Sequence, residues 1–173
     1  MNILVLNGSP RPNGNTKAMV NAFKEGAESA GHKVTVVDVC QKNIGGCKGC
    51  EYCHTKGDGK CIQKDDMAEI YQALENTDMV VFASPIYYWN ISGQLQCVIS
   101  RLYAPGRLPS VKKCALILSS ASPNVYEGAI YAYRSSFPQF LGMEDMGVFT
   151  VYDPQNKSEA KLQELREFGQ SLK

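Results

Sequence analysis

The chain has 173 residues, of which 44% are hydrophobic and 20% charged, and its formal net charge is +1. This length and composition predict one globular domain over residues 1–173 and disfavour disordered and fibrous classes. The basic residues are scattered, so the sequence shows no electrostatic footprint for a nucleic-acid partner. The longest apolar runs are strand-sized, and the N-terminus lacks a basic region followed by a cleavage site. We therefore expect a cytoplasmic protein that does not span a membrane.

The first half of the chain alternates short apolar runs with segments of helical periodicity. These predict, in order, a strand over 3–6, a helix with apolar positions over 19–30, a strand over 34–39, a helix from Asp66 and a strand over 79–83. Gly31 stands where a left-handed residue would end the first helix. Asp66 and Glu69 have the spacing of a capping box, which would begin the second helix.

The second half continues the alternation. It predicts a helix over 91–102, a strand over 114–118, a helix over 128–141 that Pro138 shortens or kinks, a strand over 147–151 and a helix over 158–172. Five buried strands alternating with helices indicate a doubly wound parallel sheet between two helical layers. The common five-strand order is 2-1-3-4-5, the flavodoxin-like α/β/α sandwich. A Gly- and Cys-rich insertion over 40–64 follows the second strand.

Ligands of such sheets bind beyond the carboxyl ends of the strands, where the strand order reverses. In the predicted order this point lies between the first and third strands. The loops that follow Leu6 and Ala83 are therefore the candidate binding loops.

The loop over residues 8–16, Gly-Ser-Pro-Arg-Pro-Asn-Gly-Asn-Thr, has the features of a phosphate site. It offers hydroxyl groups, one guanidinium and backbone N–H groups at the positive end of a helix. An ordinary strand-to-helix turn is the alternative interpretation. The spacing of Gly8 and Gly14 excludes a Walker A motif, and the G-x-G-x-x-G fingerprint of dinucleotide sites is absent. A single monophosphate fits this loop better.

The loop over residues 84–90, Ser-Pro-Ile-Tyr-Tyr-Trp-Asn, places large apolar groups beside backbone amides. Flat apolar surfaces next to N–H donors suit a tricyclic flavin ring. The alternative is an oligomer interface, and the two interpretations are compatible. Small polar residues over 119–122, after the fourth strand, add a weaker signal at the same edge.

Four of the seven cysteines follow the pattern C-x2-C-x2-C-x7-C, and they are Cys47, Cys50, Cys53 and Cys61. Such crowding in a cytosolic chain favours metal or redox chemistry over a disulfide framework. An iron–sulfur cluster, a zinc ion and free thiols remain open as alternatives. Cys97 and Cys114 are expected to be small core residues, and Cys40 fits either role.

The motifs together resemble the NADPH-dependent FMN reductase family and its iron–sulfur flavoprotein branch. The resemblance rests on residues 8–11 with 14–16, on 83–87, and on 92–95 leading to 101–103. It implies FMN with its phosphate on Ser9, Arg11, Asn15 and Thr16 and its ring against Pro85, Ile86, Tyr87 and Trp89. Ser84, Asn90 and Ser119 complete the candidate FMN-binding set. The branch also implies a [4Fe-4S] cluster on the four cysteines, although the last spacing here is longer than usual.

The leading functional hypothesis is an FMN-dependent oxidoreductase that moves electrons between NAD(P)H and a flavin, quinone or similar acceptor. The cofactor does the chemistry, so no catalytic side chain is expected. One alternative is an electron carrier that takes electrons from a ferredoxin-like donor through FMN and a cluster. Another is a flavin-binding redox sensor. The aromatic loop and the Cys-rich insertion predict a homodimer or homotetramer.

Overall fold

A computed structural model describes residues 1–173 and contains one twisted sheet. Its five long strands are parallel. They are β1 (Asn2–Asn7), β2 (Lys33–Asp38), β3 (Met79–Tyr87), β5 (Lys113–Ser120) and β6 (Glu144–Tyr152), and β4 (Asn90–Ile91) is a two-residue strand between β3 and β5 in the chain. The order β2-β1-β3-β5-β6 confirms the predicted flavodoxin-like sheet. The addition is β4, which pairs antiparallel with the end of β3.

Six helices cover the sheet. They are α1 (Asn15–Ser29), α2 (Tyr52–Thr55), α3 (Met67–Glu75), α4 (Gly93–Arg101), α5 (Glu127–Arg134) and α6 (Glu159–Ser171). The apolar residues of α1 and α6 share one core cluster, and those of α3, α4 and α5 share the other. None of these helices has the length and apolar character needed to cross a bilayer.

The strands supply both cores because alternate side chains point to opposite faces. In β1, Leu4 and Leu6 enter the α3–α5 side, whereas Ile3 and Val5 enter the α1–α6 side. All four side chains are buried. This explains why the strand has a continuous apolar run and not an alternating pattern.

The end of β3 differs from the prediction. The strand runs to Tyr87 instead of ending at Ala83, because Ser84 and Pro85 pair with β5. A hairpin then connects it to β4 through Tyr88 and Trp89, which have φ of 49° and 61°. Two-residue hairpin turns with positive φ usually contain Asn and Gly, so two bulky aromatic residues there hold a strained backbone.

Two helix boundaries were predicted. Asp66 is the N-cap residue of α3, as expected, but its side chain makes no capping hydrogen bond, because its carboxylate accepts from the Asn43 N–H at 2.7 Å. The Met67 N–H donates to the neighbouring Asp65. The helix over 128–141 is shortened as predicted: α5 ends at Arg134, and a π-helical segment, Ser135–Phe140, contains Pro138.

The helices α1 and α6 pack closely at two glycines. A Cβ atom added at Gly26 would lie 2.0 Å from the Arg166 carbonyl oxygen, and one at Gly169 would lie 2.5 Å from the Phe23 carbonyl oxygen. No side chain fits at that distance, so the two helices can pack this closely only because both positions are glycine.

Candidate functional site

A cleft of about 260 Å³ lies at the carboxyl edge of β1, β3 and β5, at the predicted position. Eight of the eleven predicted FMN-binding residues line it: Ser9, Arg11, Asn15, Thr16, Pro85, Ile86, Tyr87 and Ser119. The structure therefore brings the two candidate loops together around one space.

The first wall of the cleft is the N-terminus of α1. Gly14 is the N-cap and supplies no side-chain acceptor. The N–H groups of Asn15, Thr16 and Lys17 have no acceptor within the protein. Unpaired N–H groups and the positive end of the helix dipole form a binding site for an anion.

The cations near this helix end have different roles. Lys17 forms an ion pair with Asp38 at 2.7 Å, whereas the exposed Arg11 guanidinium has no ion-pair partner. Burial raises the pKa of Asp38, but hydrogen bonds from Lys17 and Asn7 outweigh this and hold it below its ordinary value. Asn7 also accepts a hydrogen bond from the Ser9 N–H at 3.2 Å and so fixes the start of the loop. Arg11 is the cation that is free to meet a ligand.

Replacing Asp38 with Asn should cost about 1 kcal/mol of folding free energy at pH 7, after allowance for solvent screening. The folded-state pKa of Asp38 is depressed, so its contribution is present above the unfolded pKa and lost as the pH falls through the folded one. The stability curves of wild type and variant should therefore approach each other as the pH falls below the ordinary pKa of an aspartate side chain. Urea denaturation between pH 7 and 2.5 measures this, and Asp58→Asn, an exposed carboxylate without an ion pair, is the control. A difference that stays constant with pH would contradict the prediction.

Two buried hydroxyl groups join the first loop to the end of β5. Thr16 Oγ1 and Ser119 Oγ lie 2.8 Å apart, and the residues are 1% and 4% exposed. Ser9 Oγ accepts a hydrogen bond from the Arg11 N–H at 3.3 Å. These contacts hold the loop against the sheet before any ligand is present.

The second wall is formed by the end of β3. Pro85 and Ile86 are partly buried and Tyr87 is 47% exposed, so an apolar surface faces the cleft. The β3–β4 pairing fixes its position.

Three predicted residues do not line the cleft. Ser84 is fully buried, where its hydroxyl donates to the Pro85 carbonyl and accepts from the Ser92 N–H. The Asn90 side chain accepts a hydrogen bond from Gln96 at 2.8 Å. Trp89 lies in the hairpin turn, with its carbonyl against Gly128. These three residues do not line the cleft because β3 continues beyond Ala83 and ends in a hairpin where a loop was predicted.

Sequence reasoning missed one charged residue of the cleft. Asp153 lines it from the segment directly after β6. The sequence feature that could have identified Asp153 is its position just after the last predicted strand, because the carboxyl ends of parallel strands share one edge of the sheet.

A larger cavity of about 510 Å³ lies between α3 and the segment over 105–110. It is away from the switch point and has no helix N-terminus with free N–H groups among its lining residues. The smaller cleft is therefore the better candidate for a phosphate-bearing cofactor.

The four patterned cysteines line one small cleft, which we call the cysteine cleft, together with Arg101 and Tyr103. Cys53 is buried, Cys61 is partly buried, and Cys47 and Cys50 are exposed. Burial, with the charges of Cys61 and Glu51 close by, raises the pKa of the Cys53 thiol. The four cysteines thus line one cleft despite the long last spacing.

The donor set of four thiols suits either an iron–sulfur cluster or a zinc ion. As the side chains lie, no group of three or more Cys, His, Asp or Glu is arranged to hold a metal ion. A [4Fe-4S] cluster takes one thiolate on each iron, so its ligands are spread more widely than those of a single ion. The free space in this cleft is about 10 Å³, so its side chains would have to rearrange to admit a cluster.

The remaining cysteines have separate surroundings. Cys114 is fully buried, as predicted, and accepts a hydrogen bond from the Tyr133 hydroxyl. Burial raises the pKa of Cys114 to about 11. Cys97 is not a core residue as expected: it is partly exposed on α4, close to Gly46 of the Cys-rich segment. The Cys40 thiol donates to the Gly8 carbonyl at 3.2 Å.

Comparison with known proteins agrees with this geometry. The family model for NADPH-dependent FMN reductases matches residues 1–157. The chain belongs to this family. The finding confirms the resemblance that the loop motifs predicted.

Curated relatives in the FMN reductase family carry the name iron-sulfur flavoprotein. One from Methanocaldococcus jannaschii is 38% identical over 153 residues, which cover 88% of this chain and 70% of that protein. One from Archaeoglobus fulgidus is 39% identical over 105 residues, which cover 61% of this chain and 47% of that protein. The chain thus spans about half to three quarters of the length of the relatives that it matches.

Solved structures of the same fold are much more distant in sequence. The NAD(P)H:quinone oxidoreductase from Methanothermobacter marburgensis aligns with a TM-score of 0.77 at 18% identity, covering 98% of this chain and 96% of that one. An FMN-dependent NADH-azoreductase from Bacillus anthracis, solved with FMN, aligns with a TM-score of 0.69 at 17% identity, covering 98% of each chain. These likenesses support the flavodoxin-like fold of the chain.

Proposed function

We propose that the protein binds FMN in the 260 Å³ cleft and acts as an oxidoreductase that moves electrons between NAD(P)H and a flavin, quinone or similar small acceptor. One observation carries the proposal. The free N–H groups at the start of α1 and the unpaired Arg11 face the same space as the apolar end of β3. A phosphate and a flat ring on one molecule match these two walls.

The charge of the site fits a single phosphate. Three free N–H groups and one free guanidinium suit a dianion, whereas Lys17 is already paired with Asp38 and Asp153 adds a negative charge to the lining. Arg11 is the one cation that lines the cleft, because Lys157 contacts the loop at the Asn13 carbonyl without lining it, so the further charge of a diphosphate would meet no second lining cation. Thr16 and Ser119 would hold the loop in place while Arg11 contacts the phosphate.

The apolar wall of Pro85, Ile86 and Tyr87 would position the ring. Bound FMN supplies hydride and electron transfer, which needs no acid or base from the protein. The role of the chain is to bind, to orient and to exclude water. The exposed aromatic side chains of Tyr88 and Trp89 support the proposal of a homodimer or homotetramer, in which this edge would be covered.

A second candidate function adds a cluster to the flavin. The observation that favours it is the cysteine cleft, which all four patterned cysteines line. In that case the protein would carry electrons between a ferredoxin-like donor and an acceptor, and the thiolates of Cys47, Cys50, Cys53 and Cys61 would hold a [4Fe-4S] cluster.

Anaerobically purified protein tests both candidates in one preparation. We expect FMN to bind in a fluorescence titration and excess NADPH to bleach its visible absorbance. Failure to bind FMN would overturn the proposed function, and bound FMN that NADPH does not reduce would favour the electron carrier. Iron and acid-labile sulfide near four of each per chain support the cluster, and their absence removes it.

A further inference from the structure

Arg101, the last residue of α4, is a buried cation with one unused donor. Its side chain is 1% exposed. Nη1 donates to Asp65 Oδ2 at 2.6 Å, and Nη2 donates to Asp65 Oδ1 at 3.0 Å. Nη1 also donates to the Gly45 carbonyl at 3.0 Å. The Nε–H is buried and makes no hydrogen bond, although the Tyr71 hydroxyl, which donates to the Arg101 carbonyl at 2.8 Å, lies close to the guanidinium.

An unpaired donor in this position is unusual. Buried N–H groups are almost always hydrogen-bonded, and leaving one unpaired on a charged group costs free energy. Asp65 uses both oxygens on the terminal nitrogens, so it leaves Nε free. Arg101 lines the cysteine cleft with all four patterned cysteines. The cleft offers the sulfur atoms of the four cysteines as acceptors beside the oxygens of Glu51, Gln63 and Tyr103, of which the Glu51 carboxylate is already bonded to the Tyr103 hydroxyl.

The Asp65–Arg101 pair also holds the backbone that leads into the cysteines. The Gly45 N–H donates to Asp65 Oδ2 at 3.2 Å while its carbonyl accepts from Arg101, so both polar groups of Gly45 are fixed. The next residue of the motif is held too, because the Cys47 N–H donates to Ser100 Oγ at 3.1 Å. The C-terminal end of α4 therefore sets where the first cysteine lies.

We propose that Arg101 is the positioning residue of an iron–sulfur cluster on Cys47, Cys50, Cys53 and Cys61, and that its Nε–H donates a hydrogen bond to a sulfur of that cluster. The inference rests on the proposed cluster and extends it to the residue that orients it. Hydrogen bonds to the sulfurs and nearby positive charge stabilise the more negative, reduced form of a cluster. Arg101 would therefore raise the reduction potential of the cluster.

A purely structural role for the Asp65–Arg101 ion pair would lead to a different experimental result. It would affect the stability of the chain but leave the potential of a bound cluster unchanged. Lysine separates the two cases, because it keeps the charge but has neither the Nε–H nor the planar fork of arginine.

The test compares wild type, Arg101→Lys and the control Arg134→Lys, each loaded anaerobically with iron and sulfide. Arg134 is an exposed arginine on α5 that pairs with Asp145. In an EPR-monitored redox titration we expect Arg101→Lys to show an approximately tenfold lower ratio of reduced to oxidised cluster at a fixed potential, equivalent to about 59 mV for one electron. The flavin potential and the control should match wild type. A cluster potential unchanged in Arg101→Lys would overturn the inference, as would an equal shift of the flavin.

Two further measurements keep the test decisive. If Arg101→Lys does not fold, wild type labelled with ¹⁵N-arginine replaces it, and pulsed EPR of the reduced cluster should show a ¹⁵N coupling. Absence of that coupling overturns the inference. Wild-type protein that takes up no iron also overturns it, whereas FMN binding and NADPH bleaching in the same sample would leave the proposed oxidoreductase standing.

Discussion

Replacing Gly26 with Ala should lower the free energy of unfolding by about 3 kcal/mol, at the upper end of the usual cost of overpacking. The added Cβ would lie 2.0 Å from the carbonyl oxygen of Arg166, which is backbone and cannot rotate away. The helices α1 and α6 would have to separate, and the apolar contacts between Phe23, Phe149 and Phe168 would loosen. Urea denaturation of the variant measures the effect.

The matched control is Gly93→Ala in the first turn of α4. It is also a helical glycine, but an added Cβ there meets no atom within 4 Å. We expect a small stabilisation of about 0.5 kcal/mol, because alanine restricts the unfolded chain. If Gly26→Ala were as stable as the control, α1 and α6 would have to lie farther apart than in the structure.

Replacing Arg11 with Ala should raise the dissociation constant of FMN about 10- to 100-fold. A hydrogen bond to a charged group contributes about 1.5–3 kcal/mol, and 1.4 kcal/mol corresponds to a factor of ten. Arg11 makes no ion pair within the protein, so the loss should appear in FMN binding and leave folding stability unchanged. Fluorescence titration at low and high salt measures the constant, since charge contacts weaken with ionic strength.

Two further variants serve as a comparison and a control for this prediction. Arg11→Lys keeps the charge and should bind FMN with an intermediate affinity, because it loses the planar fork. Arg134→Ala removes an arginine far from the cleft and should bind FMN like wild type. An unchanged dissociation constant for Arg11→Ala would mean that Arg11 points away from the phosphate.

The sheet and its order could be predicted from sequence because buried parallel strands have continuous apolar runs. Residues 3–6 and 79–83 show this directly. The position of the cleft then followed from topology alone, since the switch point depends on strand order. The cleft accordingly contains residues from both predicted loops.

The details of that cleft depend on contacts that periodicity does not contain. Ser84 looked like a loop residue because Pro85 follows it, but pairing with β5 keeps both in the strand. Asp65 and Arg101 are 36 residues apart in sequence, and no local pattern indicates their pairing. The N-cap position of α3 at Asp66 could be predicted, but the missing capping hydrogen bond could not, because the Asp66 carboxylate accepts from Asn43, 23 residues away in sequence.

The nine residues of α4 connect the phosphate loop with the segment that precedes the first patterned cysteine. At its start, Ser92 lies so close to Gly8 that a Cβ on that glycine would be 2.5 Å from the Ser92 hydroxyl. At its end, Arg101 holds Gly45. A helix of this length measures roughly 14 Å. The phosphate loop and the segment that leads to the first cysteine therefore contact opposite ends of one short helix, so a shift of α4 would move both together.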